Sequence, residues 1–164
     1  MAKSVGIITM HRVPNCGSAL QAYALQSVIE QMGLQVELID YIFPNAYHKQ
    51  VAAKRSKTVR GNVAIRFISW LYSKINGYFI TSLFQPFYKK FYKLSERRYT
   101  SQEEIFANPP KYDYYVSGSD QIWNPMYVGQ DTSFMLSFVK EGKRIAYSSS
   151  IAKKEIPTEY CKLY

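Results

Sequence analysis

Two short apolar runs, set on either side of one amphipathic stretch, limit this chain more than any other feature. Val5–Met10 (VGIITM) is uninterrupted and rich in β-branched residues, the pattern of a parallel strand buried on both faces. Between about Leu20 and Met32, the residues Leu25, Val28, Ile29 and Met32 recur at i, i+3, i+4 and i+7, one face of a helix. Ser18 and Gln21 have the spacing of a capping box, and Gly33 is placed to stop the helix. Gln35–Tyr41 (QVELIDY) reads as a second strand. Strand, helix and strand at this length imply a right-handed crossover and a parallel sheet. The loop His11–Gly17, broken by Pro14, Asn15 and Gly17, then opens at the carboxyl edge of that sheet, where such folds bind ligands. It lacks the glycine fingerprint of dinucleotide sites, but free amides at a helix start suit a carboxylate or phosphate. From the loop alone, an ordinary tight connection is the somewhat stronger reading.

A second stretch, Lys111–Pro125 (KYDYYVSGSDQIWNP), brings more chemistry to the same edge. Tyr112, Tyr114, Tyr115 and Val116 are strand formers, and the strand is expected near 112–117. Ser117-Gly118-Ser119-Asp120 is expected to turn the chain, since glycine accepts backbone angles that other residues resist. Gln121, Trp123 and Asn124 follow, and Pro125 is expected to end regular structure. An acid, hydroxyls, amides and an indole thus crowd one strand end. The bland alternative is a strand, a turn and a short helix capped by Ser119 or Asp120.

The 164 residues, 47% hydrophobic and 20% charged, suffice for one globular domain with a proper core. Met1–Ser4 leads directly into a strand, with no secretory leader pattern. Cys16 and Cys161 form neither a metal-ligand spacing nor a disulfide framework, which makes a reducing cytoplasm the default. His11 and His48 are too few and too far apart for a zinc site, and no metal is expected.

The net charge of +9 is concentrated. Lys49 to Arg98 holds 12 of the 21 basic residues and one acid, Glu96, while the remainder is slightly acidic. That distribution points to a local anionic partner and away from nucleic acid. Phe43 to about Leu94 reads as a basic insertion, helical over about 50–95. Ile65, Ile68, Leu71, Tyr72, Ile75 and Phe79 keep helical spacing, with Arg66 and Lys74 interrupting any membrane-spanning run. Phe84, Phe87, Phe91 and Leu94 mark a second amphipathic helix, separated from the first near Asn76-Gly77 or Pro86. With Trp70 and several tyrosines, the insertion suits either an anionic membrane surface or packing of its apolar face on the domain. Ser101 with Glu104 has the spacing to cap a short helix to about Ala107. Met126–Thr132 reads as a loop. Phe134, Leu136 and Phe138 alternate without fixing strand over helix. Arg144–Ser149 reads as the next strand, and a helix is expected after Pro157.

The run VSGSDQIWN resembles the signature of the polysaccharide pyruvyl transferase family, in which a strand runs into Gly-Ser-Asp-Gln-x-Trp-Asn. Asn15-x-Gly17, followed by Leu20-Gln21-Ala22-Tyr23-Ala24-Leu25-Gln26, resembles the family's first strand–helix junction. Lys143-Arg144-Ile145-Ala146-Tyr147 with Ser150 resembles its next strand after the signature. All three come in the family's order and span nearly the whole chain. The resemblance implies a Rossmann-like α/β domain, 1–164, with strands near 4–10, 35–41, 112–117 and 144–149. It would be the N-terminal half of a two-domain architecture similar to GT-B glycosyltransferases, and the C-terminal half is expected to be missing here.

The reaction so implied moves a pyruvyl unit from phosphoenolpyruvate to two sugar hydroxyls of a bacterial cell-surface polysaccharide, forming a cyclic ketal and releasing phosphate. No cofactor beyond that donor substrate is implied, and much of the donor site is expected in the C-terminal half. On the acceptor side, Asp120 is the candidate to take a hydroxyl proton or orient the sugar. Asn15, Gly17, Ser117, Gly118, Ser119, Gln121, Asn124 and Ser150 are candidate substrate-binding residues, and Trp123 is a candidate stacking platform. Cys16 stands where the family usually has an aromatic residue, so its thiol reads as incidental. A glycine often follows Ser150 by two positions in the family, where this chain has Ala152; a positive φ there would cost free energy. Two other classes stay open: a sugar-nucleotide-dependent glycosyltransferase, and a non-catalytic module that binds a membrane surface or polymer.

Overall fold

A computed structural model describes residues 2–42 and 63–163. Five parallel strands form one sheet: β1 (Ser4–Ile8), β2 (Gln35–Tyr41), β3 (Leu94–Tyr99), β4 (Tyr114–Asp120) and β5 (Lys143–Ser149). They lie in the order β3-β2-β1-β4-β5, so the chain builds outward from β1 on one side and then returns to build on the other. The expected α/β fold with a parallel sheet is what the chain adopts. The crevice between β1 and β4 is therefore a topological switch point, the place where adjacent connections leave opposite faces of a sheet.

Helix α1 (Cys16–Gln31) carries β1 to β2 and is buried along Ala19, Ala22, Leu25 and Ile29. It starts four residues earlier than its apolar spacing indicates. Asn15 caps it by accepting the Ser18 amide at 3.1 Å, so Ser18 and Gln21 are released from the expected capping box. Gly17 belongs to the first helical turn and not to the loop. Val28 and Met32 are exposed, because Ala22 and buried Gln26 shift the packed face around the helix. Gly33, at φ +81°, ends the helix as expected.

The insertion differs more from its reading. Its first part, with His48, Lys54, Arg55, Lys57 and Arg60, lies outside the described residues. From Val63 to Phe91 there is one continuous helix, α2, where two were expected. Pro86 sits inside it without ending it, since Phe84, Phe87, Tyr88 and Phe91 pack together on both sides of the proline. Phe87 and Phe91 also meet Tyr23 of α1. Leu94, read as the last apolar residue of a helix, instead begins β3. That strand is easily missed: its middle residues, Glu96, Arg97 and Arg98, are exposed, as befits a charged edge strand.

A short helix α3 (Gln102–Ala107) has the expected cap, with the Ser101 hydroxyl accepting from the Glu104 amide and the Glu104 carboxylate accepting from the Thr100 amide. Strand β4 runs to Asp120 and not to Ser117, because Gly118 and Asp120 stay in register with Tyr147 and Ser149 of β5. Pro125 starts α4 (Pro125–Val128) where it was expected to end structure; Asn124, not Ser119 or Asp120, caps it. Phe134, Leu136 and Phe138 are all buried around a 3-10 turn at Ser133–Met135, and a second 3-10 turn covers Thr158–Leu163. The apolar core has two parts. Val5, Ile7, Leu38 and Val116 pack under α1 and the end of α2, while Ile8, Ile39, Tyr115, Ile122 and Phe134 pack together in the other part.

Candidate functional site

A cleft of about 680 Å³ opens at the switch point. Its walls are the loop after β1 with the start of α1 (Met10, Val13, Pro14, Asn15, Gly17, Ser18, Gln21) and the end of β4 (Ser119, Asp120, Gln121), with Tyr127 beyond. The two stretches singled out in the sequence therefore face each other.

Gln21 joins them. Its amide nitrogen donates to the Thr9 hydroxyl at 2.9 Å, and its amide oxygen accepts from the Ser119 amide at 3.2 Å and hydroxyl at 2.8 Å. Thr9 in turn donates to the Ser119 carbonyl at 3.2 Å. Ser119 is thus fixed from two sides, and the end of β4 is held in shape by the protein's own groups. The role of Gln21 escaped the sequence reading, although it stands in the same motif as Ala22 and Tyr23. Its spacing from Ser18 had an ordinary explanation in capping.

Asp120 stands next to this clamp. The Ser18 hydroxyl donates to Oδ2 at 3.1 Å, and the Gln121 amide donates to Oδ1 at 2.7 Å. Both partners are neutral. The backbone of Asp120 has φ +91°, in the region that residues other than glycine rarely occupy, and its carbonyl accepts from the Ser150 amide at 3.0 Å. Such a conformation costs roughly 1–3 kcal/mol and persists only where surrounding contacts hold it, most often at functional sites. Gly118, at φ +133° and just before a cis peptide bond to Ser119, cannot be replaced without collision. A Cβ there would lie 1.9 Å from the Tyr147 carbonyl oxygen.

The remaining candidate residues divide between wall and frame. Asn15 and Gly17 line the cleft, Asn15 with its side chain engaged at the helix start. Ser117 is buried and donates its hydroxyl to the Phe134 carbonyl. Trp123 packs its indole against the core and donates its ring N–H to the same carbonyl at 3.1 Å. Asn124 is buried, capping α4 and donating to the Gln121 side chain at 3.3 Å. Ser150 contributes its backbone, its carbonyl accepting from the Trp123 amide at 3.2 Å. Cys16 is exposed and lies outside the cleft lining.

Beside the cleft, across β1, lies a cluster that the sequence reading passed over. Asp40 is buried near the end of β2, in the Leu38–Tyr41 stretch that is buried throughout, where a carboxylate is found only when paired. Arg12 grips it with two bonds, at 2.8 and 2.6 Å. Arg98, its neighbour across the sheet, donates at 2.9 Å, and His11 approaches at 3.4 Å. Burial by itself would raise this carboxyl's pKa, but the bonds from His11, Arg12 and Arg98 outweigh it and hold the group well below the usual carboxylate range. The cluster fixes the loop after β1, and Tyr88 adds a bond to the Val13 carbonyl at 3.0 Å. One wall of the cleft is anchored in this way.

Among families of known proteins, the one described as polysaccharide pyruvyl transferase matches residues 15–164. No curated protein and no solved structure matches the chain. The matched span starts at the cap of α1 and includes Asn15, Gly17, Ser18, Gln21, Ser119, Asp120, Gln121 and Tyr127 of the cleft lining, while Met10, Val13 and Pro14 precede it. The chain belongs to the polysaccharide pyruvyl transferase family.

Proposed function

We propose that this domain forms the acceptor side of a ketal-forming pyruvyl transfer from phosphoenolpyruvate to two hydroxyls of a sugar in a cell-surface polysaccharide. The single observation that carries the reading is the carboxylate of Asp120, displayed on the switch-point cleft and hydrogen-bonded by neutral donors. A carboxylate so held can take the proton of an attacking hydroxyl, whereas one locked by cations, such as Asp40, cannot. As each hydroxyl oxygen bonds to the central carbon of the donor, its proton leaves to a base. The methylene carbon gains a proton, and phosphate departs with the bond it made to that central carbon. Ser119, Gln121 and Asn15 supply hydrogen-bonding groups for the sugar around Asp120. Ser117, Gly118, Trp123, Asn124 and Ser150 hold the turn in shape.

Family membership favours this reading over a sugar-nucleotide-dependent glycosyltransferase of the same architecture. Phosphoenolpyruvate would be held mainly by the C-terminal domain that the family resemblance implies. The reading also assigns the protein to the cytoplasm, touching an anionic membrane peripherally through the basic segment 49–98.

The test has two arms. Titrating an acceptor oligosaccharide into the labelled chain should shift the amide resonances of Ser119, Asp120 and Gln121 and leave those around Asp40 in place. The 164-residue chain alone should release no phosphate from phosphoenolpyruvate above background. Turnover by the chain alone would overturn the division of donor and acceptor sides, and shifts confined to other surfaces would overturn the cleft.

A further inference from the structure

Helix α2 carries an apolar row that the domain does not cover. Ile68, Leu71, Ile75, Phe79 and Leu83 are each between 41% and 64% exposed. At about 100° per residue they fall within roughly one third of the helix circumference and extend along about 22 Å of its length. The last turns pack on the body through Phe84, Phe87 and Tyr88. In the same projection, those anchoring residues are centred about half a turn away from the exposed row. Every described residue from Phe67 to Leu83 is exposed, with apolar Phe67 and Ile80 flanking the row, so this length of the helix stands clear of the body and the expected packing of its apolar face on the domain does not occur. Five large apolar side chains in one exposed row exceed what isolated surface residues explain.

We infer that α2 lies in the interface of an anionic membrane, with Ile68, Leu71, Ile75, Phe79 and Leu83 inserted below the headgroups. This deepens the membrane contact proposed above and rests on that reading of the basic segment. The occupant follows from charge. Residues 49–98, which contain the whole helix, hold 12 basic residues and one acid. A second copy of the chain would bring two such segments together, like charge against like. A lipid surface rich in anionic headgroups supplies both the opposite charge and an apolar layer at the depth such a row reaches. Among the described residues, no helix is long and apolar enough to cross a membrane, so the row is suited to lying on the bilayer rather than through it.

Flotation of the full chain with vesicles tests this, in phosphatidylcholine with and without phosphatidylglycerol. The chain should float with the anionic vesicles and not with the neutral ones. Ile75→Ser with Phe79→Ser should lower the partition coefficient at least about tenfold, because two large side chains lose their apolar transfer. Phe79→Trp should keep binding, and circular dichroism would show that both variants remain folded. Reversing the charges of Lys54, Arg55, Lys57 and Arg60 should abolish flotation at low salt, each contributing roughly a fivefold change. Undiminished flotation of the double serine variant would reduce the contact to surface adsorption and overturn insertion. Absence of flotation by the parent chain, or a dimer in sedimentation that the serine variant dissolves, would overturn the membrane as occupant. Neither donor nor acceptor is present in this experiment, so its failure leaves the transfer reading standing, and the reverse also holds.

Discussion

Two aspartates stand at the carboxyl edge of the same sheet, one on each side of β1, and they are treated in opposite ways. Asp40 is buried and receives two arginines and a histidine. Asp120 lines an open cleft and receives a serine hydroxyl and a backbone amide. The backbone follows the same division. Of the non-glycine residues with positive φ among those described, Asp120, Ser148 and Ala152 surround the signature turn, and Leu136 is the fourth. The Asp40 side has none. A carboxylate saturated by cations is a fixture: it anchors a loop and resists protonation. A carboxylate on strained backbone with neutral partners is held in place without a cation. The fold thus spends ion pairing on one side of β1 to hold the wall against which the other side works.

The largest effect expected from this division is at Asp120. Under the proposed pyruvyl transfer, Asp120→Asn should lower turnover by roughly 10²–10⁴-fold, because an amide cannot take a proton. Stability should change little, since asparagine also tolerates positive φ, its side-chain oxygen can still accept from the Gln121 amide, and its side-chain nitrogen can donate to the Ser18 hydroxyl, which turns to accept. Paired urea unfolding and turnover measurements separate the two effects. A folded variant with near-normal turnover would show that both aspartates are scaffold.

Asp40 should give the reverse pattern. Asp40→Ala leaves Arg12 and Arg98 facing a vacated partner and should cost about 2–4 kcal/mol of stability. The figure lies below the full range for buried pairs because Arg98 is largely exposed. Urea denaturation at neutral pH measures it. A loss under about 1 kcal/mol would mean that the cluster contributes no more than surface ion pairs do. The pH dependence carries the same signature. The folded pKa of Asp40 is depressed below its ordinary 3.8, so its contribution is fully present above that value. It is lost progressively as the pH falls from there toward the folded value. The parent chain should therefore weaken faster than Asp40→Ala between about pH 4 and 2, and the two stability curves should converge.

These contrasts also explain what was legible beforehand. The alternation of VGIITM, an amphipathic stretch and QVELIDY determines a parallel sheet, because few structures bury two such runs on both faces. The cleft was visible because Asn15, Gly17 and the Ser119–Gln121 run end adjacent strands at the same edge. Asp40 passed unnoticed because Glu37 makes it one of two charges in its strand, and its arginine partners lie 28 and 58 residues away and meet it only in the assembled sheet. Strand β3 was hidden because an edge strand needs few apolar residues, and Leu94 fitted the helical period of α2 as well. The start of α1 was displaced for a local reason: Asn15 and Ser18 are both residue types that cap helices, and the extended backbone of Asn15 makes it the cap. Gln21, which ties the two halves of the cleft together, had a plausible local partner in Ser18 and a real one 98 residues away.

The smallest expected effect sharpens the backbone half of the comparison. Ala152 has φ +51°, in the left-handed region where a Cβ is crowded, at the position where the family often has glycine. Holding alanine there costs about 1–2 kcal/mol. Glycine would remove that cost but would also gain freedom in the unfolded chain, worth roughly 0.5–1 kcal/mol against folding. Ala152→Gly should therefore stabilise the protein by only about 0.5 kcal/mol, a rise of about 1–2 °C in Tm. The residue follows Ser150, whose amide and carbonyl bind Asp120 and Trp123, so relief at this point acts on the turn and not on the Asp40 cluster. Combined with Asp40→Ala, the glycine should add its small gain without interaction, as expected for sites that share no partners. A destabilising glycine would show that the positive φ at Ala152 carries no strain. A gain that disappears in the Asp40→Ala background would show that the two sides of β1 are coupled, and that the fixed side does more than hold a wall.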